Sequence, residues 1–218
     1  DFIYIGMKLK CFSLILIFLI ILISMLSWLN TSAGTFDVPK NVSLKKNIVV
    51  RKPAINNTLL NNLVSEEILL QKNNFLNQAL KEEKKDILSF YVEGTSFDTE
   101  NYESVYLFFE TYMGGAHPTH FIKTFVVDKR TSKIITLDDF INLDENFLQK
   151  VSDSIRMDLL LSLEVTDATW MMEGTRPFKE NYQNFVIKEN EILFIFQEYQ
   201  IAPYARGIIK CSYSYQIA

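Results

Sequence analysis

The chain of 218 residues is long enough for one full-sized domain and a short appendage, and its 48% hydrophobic and 22% charged residues are ordinary for a globular protein. With a net charge of −4 and no long basic run outside the N-terminal region, it lacks the electrostatic footprint of a nucleic-acid binder. Its two cysteines, Cys11 opening an apolar run and Cys211 in the strand-like IIKCSYSY, exclude a disulfide framework.

Six residues, DFIYIG, precede Met7, where the native start is placed. Met7-Lys8-Leu9-Lys10 forms a short basic region, and no charge follows from Cys11 to Leu29. That run is near the roughly twenty residues that cross a bilayer as a helix. The expectation for residues 1–30 is an uncleaved signal anchor, or else a signal peptide cut near Thr31-Ser32-Ala33-Gly34. Lysines flank the run on both sides, so charge leaves orientation open, but a short N-terminal flank with a domain behind it places the domain outside the membrane. Residues 31–55, polar and carrying two prolines, read as a tether, and residues 56–218 as one domain.

In that domain the spacing of Leu60, Val64, Ile68 and their neighbours predicts a helix over residues 56–86. Alternating patterns predict strands over 87–95, 104–113, 119–128 and 134–137, with a polar hairpin loop at 128–133. Asp138 or Asp139 is placed to cap a helical stretch, and Phe147, Val151, Ile155 and Leu159 mark a second long helix over 145–163. Residues 166–177 form a loop or short helix whose Trp170, Met171 and Met172 either cap the core or anchor a partner. Strands follow over 184–188, 191–197 and 208–215, with an irregular loop over 199–207. With 17 Phe and 10 Tyr suited to a half-buried sheet, the expected fold class is α+β. It is an antiparallel sheet with two long helices packed on it.

Both histidines fall in the stretch GGAHPTH, residues 114–120. A zinc protease places two histidines four residues apart on one helix face. Here they are three apart with Pro118 between them, and the residue before a proline is pushed out of the helical region. A metal site would need a further ligand from a distant carboxylate. A hydrolase needs a nucleophile, a base and an orienting group. No GxSxG is present, and scattered Asp and Glu leave a paired-carboxylate glycosidase open. The favoured reading is a turn between two strands, with Gly114 and Gly115 supplying backbone freedom and Pro118 stiffening the exit. No catalytic residue, metal or cofactor is assigned.

Gly114-Gly115-Ala116-His117-Pro118 between two strands resembles the GGAHP signature of the C-terminal, extracellular domain of RsiV-type anti-sigma factors. That domain is a DUF3298-like family of unknown function, also found beside PdaC-type peptidoglycan deacetylases. Two further stretches resemble the family in order. Ile135-Thr136-Leu137-Asp138-Asp139-Phe140 is similar to its Leu-x-Asp-Leu-Phe segment, with Ser132 where the family carries Gly. Tyr199-Gln200-Ile201-Ala202-Pro203-Tyr204-Ala205-Arg206-Gly207 is similar to its Tyr-x-Ile-Ala-Pro-Tyr-Ala-x-Gly motif. The resemblance spans residues 87–215. It implies an α+β fold outside the cytoplasmic membrane and, in RsiV-type proteins, a receptor for lysozyme.

The expected protein is therefore an extracytoplasmic, membrane-anchored or exported envelope domain, held to the membrane through Cys11–Leu29. Its expected role is a binding or sensor module for a lysozyme-like muramidase or for cell-wall glycan (peptidoglycan). The candidate ligand contacts are His117, Tyr199, Pro203 and Tyr204, on a frame of Gly114, Gly115, Ala116, Pro118 and Gly207. His120 lies outside the motif and is set aside. The alternatives are an envelope hydrolase acting on cell-wall polysaccharide and a structural domain that holds a partner at the membrane.

Overall fold

A computed structural model describes residues 46–81, 88–162 and 168–215. The apolar run Cys11–Leu29, and with it the signal anchor, lies outside the described residues, as does the tether up to residue 45. Among the described residues no helix is long and apolar enough to cross a membrane.

The first described segment, Lys46–Arg51, is a strand, β1, where the sequence pattern indicates tether. Helix α1, Thr58–Ala79, follows. Its start is fixed by two side chains. The Asn57 carboxamide oxygen accepts the Leu60 N–H at 3.0 Å. The buried Glu103 carboxylate accepts the N–H groups of Asn56 at 2.7 Å and Asn57 at 2.6 Å. Leu60, Val64, Ile68, Phe75 and Ala79 form the buried stripe of α1.

Strands β2 (Leu88–Asp98), β3 (Tyr102–Tyr112), β4 (Thr119–Asp128) and the two-residue β5 (Lys133–Ile134) form an antiparallel meander. β1 adds to β2 in parallel, so the five-stranded sheet is mixed and not purely antiparallel. The parallel pair exists because α1 is a crossover long enough to bring the chain back in the same direction. A six-residue strand in a polar segment gives too little alternation to be read without its partner.

Alternation sorts the meander into two faces. Phe90, Val92, Val105, Leu107, Phe109 and Val127 point to α1 and form one core with it. The opposite face carries Tyr91, Glu93, Thr95 and Phe97 on β2, with Tyr106, Phe108 and Glu110 on β3. His120, Ile122 and Thr124 continue it on β4. The register sets Tyr91 beside Glu110 and His120, and Glu93 beside Phe108 and Ile122.

The second half builds another sheet, of β6 (Phe185–Lys188), β7 (Glu191–Phe196) and β8 (Ile209–Ser214), where one sheet was expected. Helices α2 (Leu137–Leu143), α3 (Phe147–Ser162) and α4 (Ala168–Gly174) cover it. Phe147, Val151, Ile155 and Leu159 of α3 join Tyr182, Phe194 and Phe196 in a second core. Thr136 is the N-cap of α2, in place of the aspartates. Asp139 sits three residues on, and its carboxylate accepts the Thr136 N–H at 2.8 Å.

The two sheets are stitched by side chains. Buried Ser104 on β3 accepts the Ile187 N–H at 3.1 Å and donates to the Ile187 carbonyl at 3.2 Å. Thr124 on β4 accepts the Phe185 N–H at 3.2 Å. Edge strand β6 thereby finds partners for its outward backbone groups on the face of the large sheet. The small sheet covers that face at Ser104 and Thr124 and does not reach the end carrying Tyr91, Phe108 and His120, where the chain between β7 and β8 meets His120 instead.

Candidate functional site

The GGAHP stretch is the turn that joins β3 to β4, as the favoured reading has it. Gly114 at φ 89° and Gly115 at φ 127° adopt backbone conformations that other residues avoid, with open space around both. The Tyr112 hydroxyl donates to the Gly115 carbonyl at 2.9 Å. His117 is exposed, and its Nδ1 donates to the Pro118 carbonyl at 2.8 Å. Its ring lies 4.4 Å from that of Tyr204. Ala116 is an exposed turn residue.

Tyr204 belongs to the loop between β7 and β8. Ile201 and Ala202 are buried and pin this loop to the second core. Pro203, exposed, opens a one-turn 3₁₀ helix over Tyr204–Arg206, and Gly207 closes it at φ 66°, ψ −155°, a region open to glycine. The Gln200 carboxamide donates to the Asn181 carbonyl at 2.8 Å and accepts the Gln197 N–H at 3.2 Å. Gly174, at the end of α4, lets the loop approach: a Cβ there would stand 1.9 Å from the Gln200 carbonyl oxygen. Tyr199 is held at φ 65°, a left-handed conformation that is costly for a bulky side chain, and is 57% exposed.

His120, set aside on sequence grounds, stands at the centre. Its Nδ1 is 2.8 Å from Glu198 Oε1 on the loop and its Nε2 is 3.1 Å from Glu110 Oε2 on β3. Each ring nitrogen faces a carboxylate oxygen, so the imidazole lies between two acceptors, one on the loop and one on the sheet. The histidine thus clamps the loop to the sheet. One half of this clamp is legible in the sequence, because counting back from the GGAHP turn pairs Glu110 with His120. Glu198 lies 78 residues away and has no sequence signal.

Around the clamp the aromatic rings form a row. Tyr91 is 6.4 Å from Phe108, Phe108 is 5.2 Å from His120, and His120 is stacked at 6.0 Å on Tyr204. Tyr204 is 5.6 Å from Tyr199, and Tyr199 is 6.1 Å from Trp170. The structure therefore brings His117, Tyr199 and Tyr204 together. It adds His120, Trp170, Phe108 and Tyr91, and gives Pro203 a shaping role.

Beside Phe108, where β8 overhangs the large sheet, lies a cavity of about 290 Å³ lined by Glu93, Thr95, Tyr106, Ile122, Ile208 and Lys210. Lys210 Nζ donates to the Tyr106 hydroxyl at 2.8 Å and lies 4.2 Å from its ring. Burial alone would raise the Tyr106 phenol, but hydrogen bonds from Lys210 and Thr95 outweigh it and hold the phenol below its ordinary value. A larger cavity of about 410 Å³ lies at the tips of the β2–β3 and β6–β7 hairpins, among polar turn residues and away from the row. Among the described residues no group of three His, Cys, Asp or Glu side chains is placed to hold a metal.

Residues 138–215 match DUF3298, a protein family of unknown function. The match takes in the Asp138-Asp139-Phe140 segment and the Tyr199–Gly207 loop, and begins after the GGAHP turn. Over 92 residues the chain is 36% identical to the peptidoglycan-N-acetylmuramic acid deacetylase PdaC of Bacillus subtilis. That stretch is 42% of this chain and only 20% of the deacetylase, so the chain spans about a fifth of that relative's length. A DUF3298 family protein of Pseudomonas aeruginosa has the same fold, with a TM-score of 0.61 over 81% of this chain and 85% of that one, at 16% identity. A Bacteroides fragilis member superposes at a TM-score of 0.45 over 71% of this chain and 62% of that one, also at 16% identity. The match of residues 138–215 to DUF3298 agrees with the resemblance carried by the motifs, and the Pseudomonas aeruginosa protein shares the fold.

Proposed function

We propose that this protein is a binding module of the cell envelope, lying outside the cytoplasmic membrane, that holds a cell-wall glycan strand along its aromatic row. The observation that carries the reading is the row itself, with Tyr199 kept exposed at φ 65° against its backbone preference. A pyranose ring has an apolar C–H face and a rim of hydroxyls. Tyr199, Tyr204 and Trp170 offer faces for the first, and the carboxylates of Glu110 and Glu198 accept from the second. The Bacillus subtilis relative acts, by its name, on peptidoglycan, and that kinship supports an envelope location.

Calorimetric titration of the full chain in detergent with soluble peptidoglycan strands tests this. Binding that is lost in Tyr204→Ala and Trp170→Ala, with both variants folded, is the expected result. Heat with a C-type lysozyme and none with glycan would replace the ligand by the muramidase of the sequence-based expectation. Release of new reducing ends, abolished by Glu198→Gln, would instead establish the hydrolase alternative. No heat with either ligand and no cleavage would refute the module reading.

A further inference from the structure

The aromatic row does not end at Phe108. The same ring is one wall of the cavity under β8, so a strand lying on the row at His120 and Phe108 reaches that cavity next. The cavity exists because the small sheet stops short. Its β6 is stitched down at Ser104 and Thr124, while Ile208 just before β8 and Lys210 within it stand over Phe108, Tyr106 and Ile122. At about 290 Å³ it is at the lower end of small-molecule sites, room for one substituent and not for a folded partner.

Its two charged walls differ. Glu93 is already engaged: Arg51 stands 3.6 Å away and the Tyr91 hydroxyl donates to it at 2.7 Å. Lys210 has no carboxylate within ion-pair distance among the described residues. Among the described residues its one hydrogen bond goes to Tyr106, which leaves two of the three ammonium donors for another acceptor. Tyr106 also holds the ammonium against its ring, so the lysine is positioned before any ligand arrives. A cation fixed in this way, in a small cleft at the end of a sugar-sized aromatic row, selects for a carboxylate.

We infer that the cavity between β2, β3, β4 and β8 is a carboxylate-recognising subsite, and that the ligand class is an acidic amino-sugar strand whose carboxylate meets Lys210. This rests on the glycan reading and sharpens it. A neutral N-acetylglucosamine chain uses the rings alone. A strand containing muramic acid adds a lactyl carboxylate or, where that is amidated, the carboxylates of the attached peptide.

Calorimetry on the full chain in detergent tests the inference with three probes. These are chitotetraose, the alternating N-acetylglucosamine and N-acetylmuramic acid tetrasaccharide with free lactyl groups, and the same strand bearing its peptides. A carboxylate on a fixed ammonium adds about tenfold in affinity. At least one acidic strand is therefore expected to bind about tenfold tighter than chitotetraose. Lys210→Met removes that gain and leaves chitotetraose binding intact, and Lys210→Arg keeps it. Which acidic strand shows the gain identifies the source of the carboxylate. Equal affinity for all three probes, or an equal loss for all three in Lys210→Met, overturns the subsite while the glycan reading stands. Absence of binding to any of the three overturns the glycan reading, and the subsite falls with it.

Discussion

Replacing Gly174 by alanine tests how the site is held. Gly174 closes α4, and the added Cβ would stand 1.9 Å from the Gln200 carbonyl oxygen and 2.8 Å from both its carbon and Ile201 Cγ2. The first of these is about 1.5 Å inside ordinary contact. Two of the three atoms are backbone, and the third belongs to a buried side chain, so none can swing aside. Overpacking of this kind costs about 1–3 kcal/mol, and a backbone clash lies at the upper end. Against it stands the helix propensity of alanine over glycine, at most about 1 kcal/mol and less at a helix end. The net loss of about 2 kcal/mol corresponds to a fall in Tm of about 4–8 °C for a chain of this size. Thermal unfolding followed by circular dichroism reads it. The displaced Gln200 is the neighbour of Tyr199, so affinity for a glycan strand falls as well. A variant as stable as the wild type, or more stable, would show that helix propensity outweighs the clash and that the loop is not fixed by this contact.

Other substitutions probe the remaining links. Ser104→Ala strands the Ile187 N–H and carbonyl between the sheets and is expected to cost about 2–4 kcal/mol in urea unfolding. A change under about 0.5 kcal/mol would mean that the stitch is dispensable. Ser132→Gly and Tyr199→Gly form a pair, because both residues have left-handed φ, 54° and 65°. Each should gain about 1 kcal/mol of stability. Only Tyr199→Gly should weaken glycan binding, by about three- to tenfold from a lost ring contact; equal binding by both variants would remove Tyr199 from the site. Burial pushes the Cys211 thiol up to about 12 from an ordinary 9.0, so the folded chain keeps a proton that the unfolded chain releases. Stability therefore falls as pH rises from about 9 towards 12, by about 1 kcal/mol at pH 10 from this group. The Tyr182 phenol, raised by burial to about 12, adds to the fall from about pH 10 upward. Cys211→Ala should be less stable than the wild type at pH 8 but should lose less between pH 8 and pH 10. An equal loss in both would refute the assignment.

The elements that show most clearly in the sequence are those whose partner is a face and not a particular residue. The four-residue spacing in α1 and α3 and the alternation in β2, β3 and β4 each follow from one buried side. β1 escapes because its identity depends on pairing with β2 across a helix, which no local pattern records. The split into two sheets escapes for a similar reason. Ser104 and Thr124 look like ordinary strand residues until β6 is seen to lie against them. In the site, the turn and the Tyr199–Gly207 loop are legible as Gly- and Pro-marked segments, and Glu110 could have been paired with His120 by hairpin counting. Trp170, Glu198 and Lys210 reach the row only through tertiary packing.

The distribution of strain ties these parts together. Among the described residues six have positive φ, and four of them, Gly114, Gly115, Tyr199 and Gly207, lie in the turn and loop that carry the row. The other two, Ser132 and Glu189, sit in hairpin turns, where such angles belong to the turn itself. A left-handed bulky residue persists only where its surroundings over-determine it. Here they do: Ile201 and Ala202 are buried on one side of Tyr199, the Glu198–His120 contact holds the other, and Gly174 and Asn181 fix Gln200 between them. A loop needed only to connect β7 to β8 could relax Tyr199 with a glycine and lose only its contacts with Tyr204 and Trp170, since that side chain is mostly in solvent. Keeping an exposed tyrosine in that conformation makes sense if the ring is wanted outside, in line with Tyr204 and Trp170, and the surrounding contacts serve to aim it.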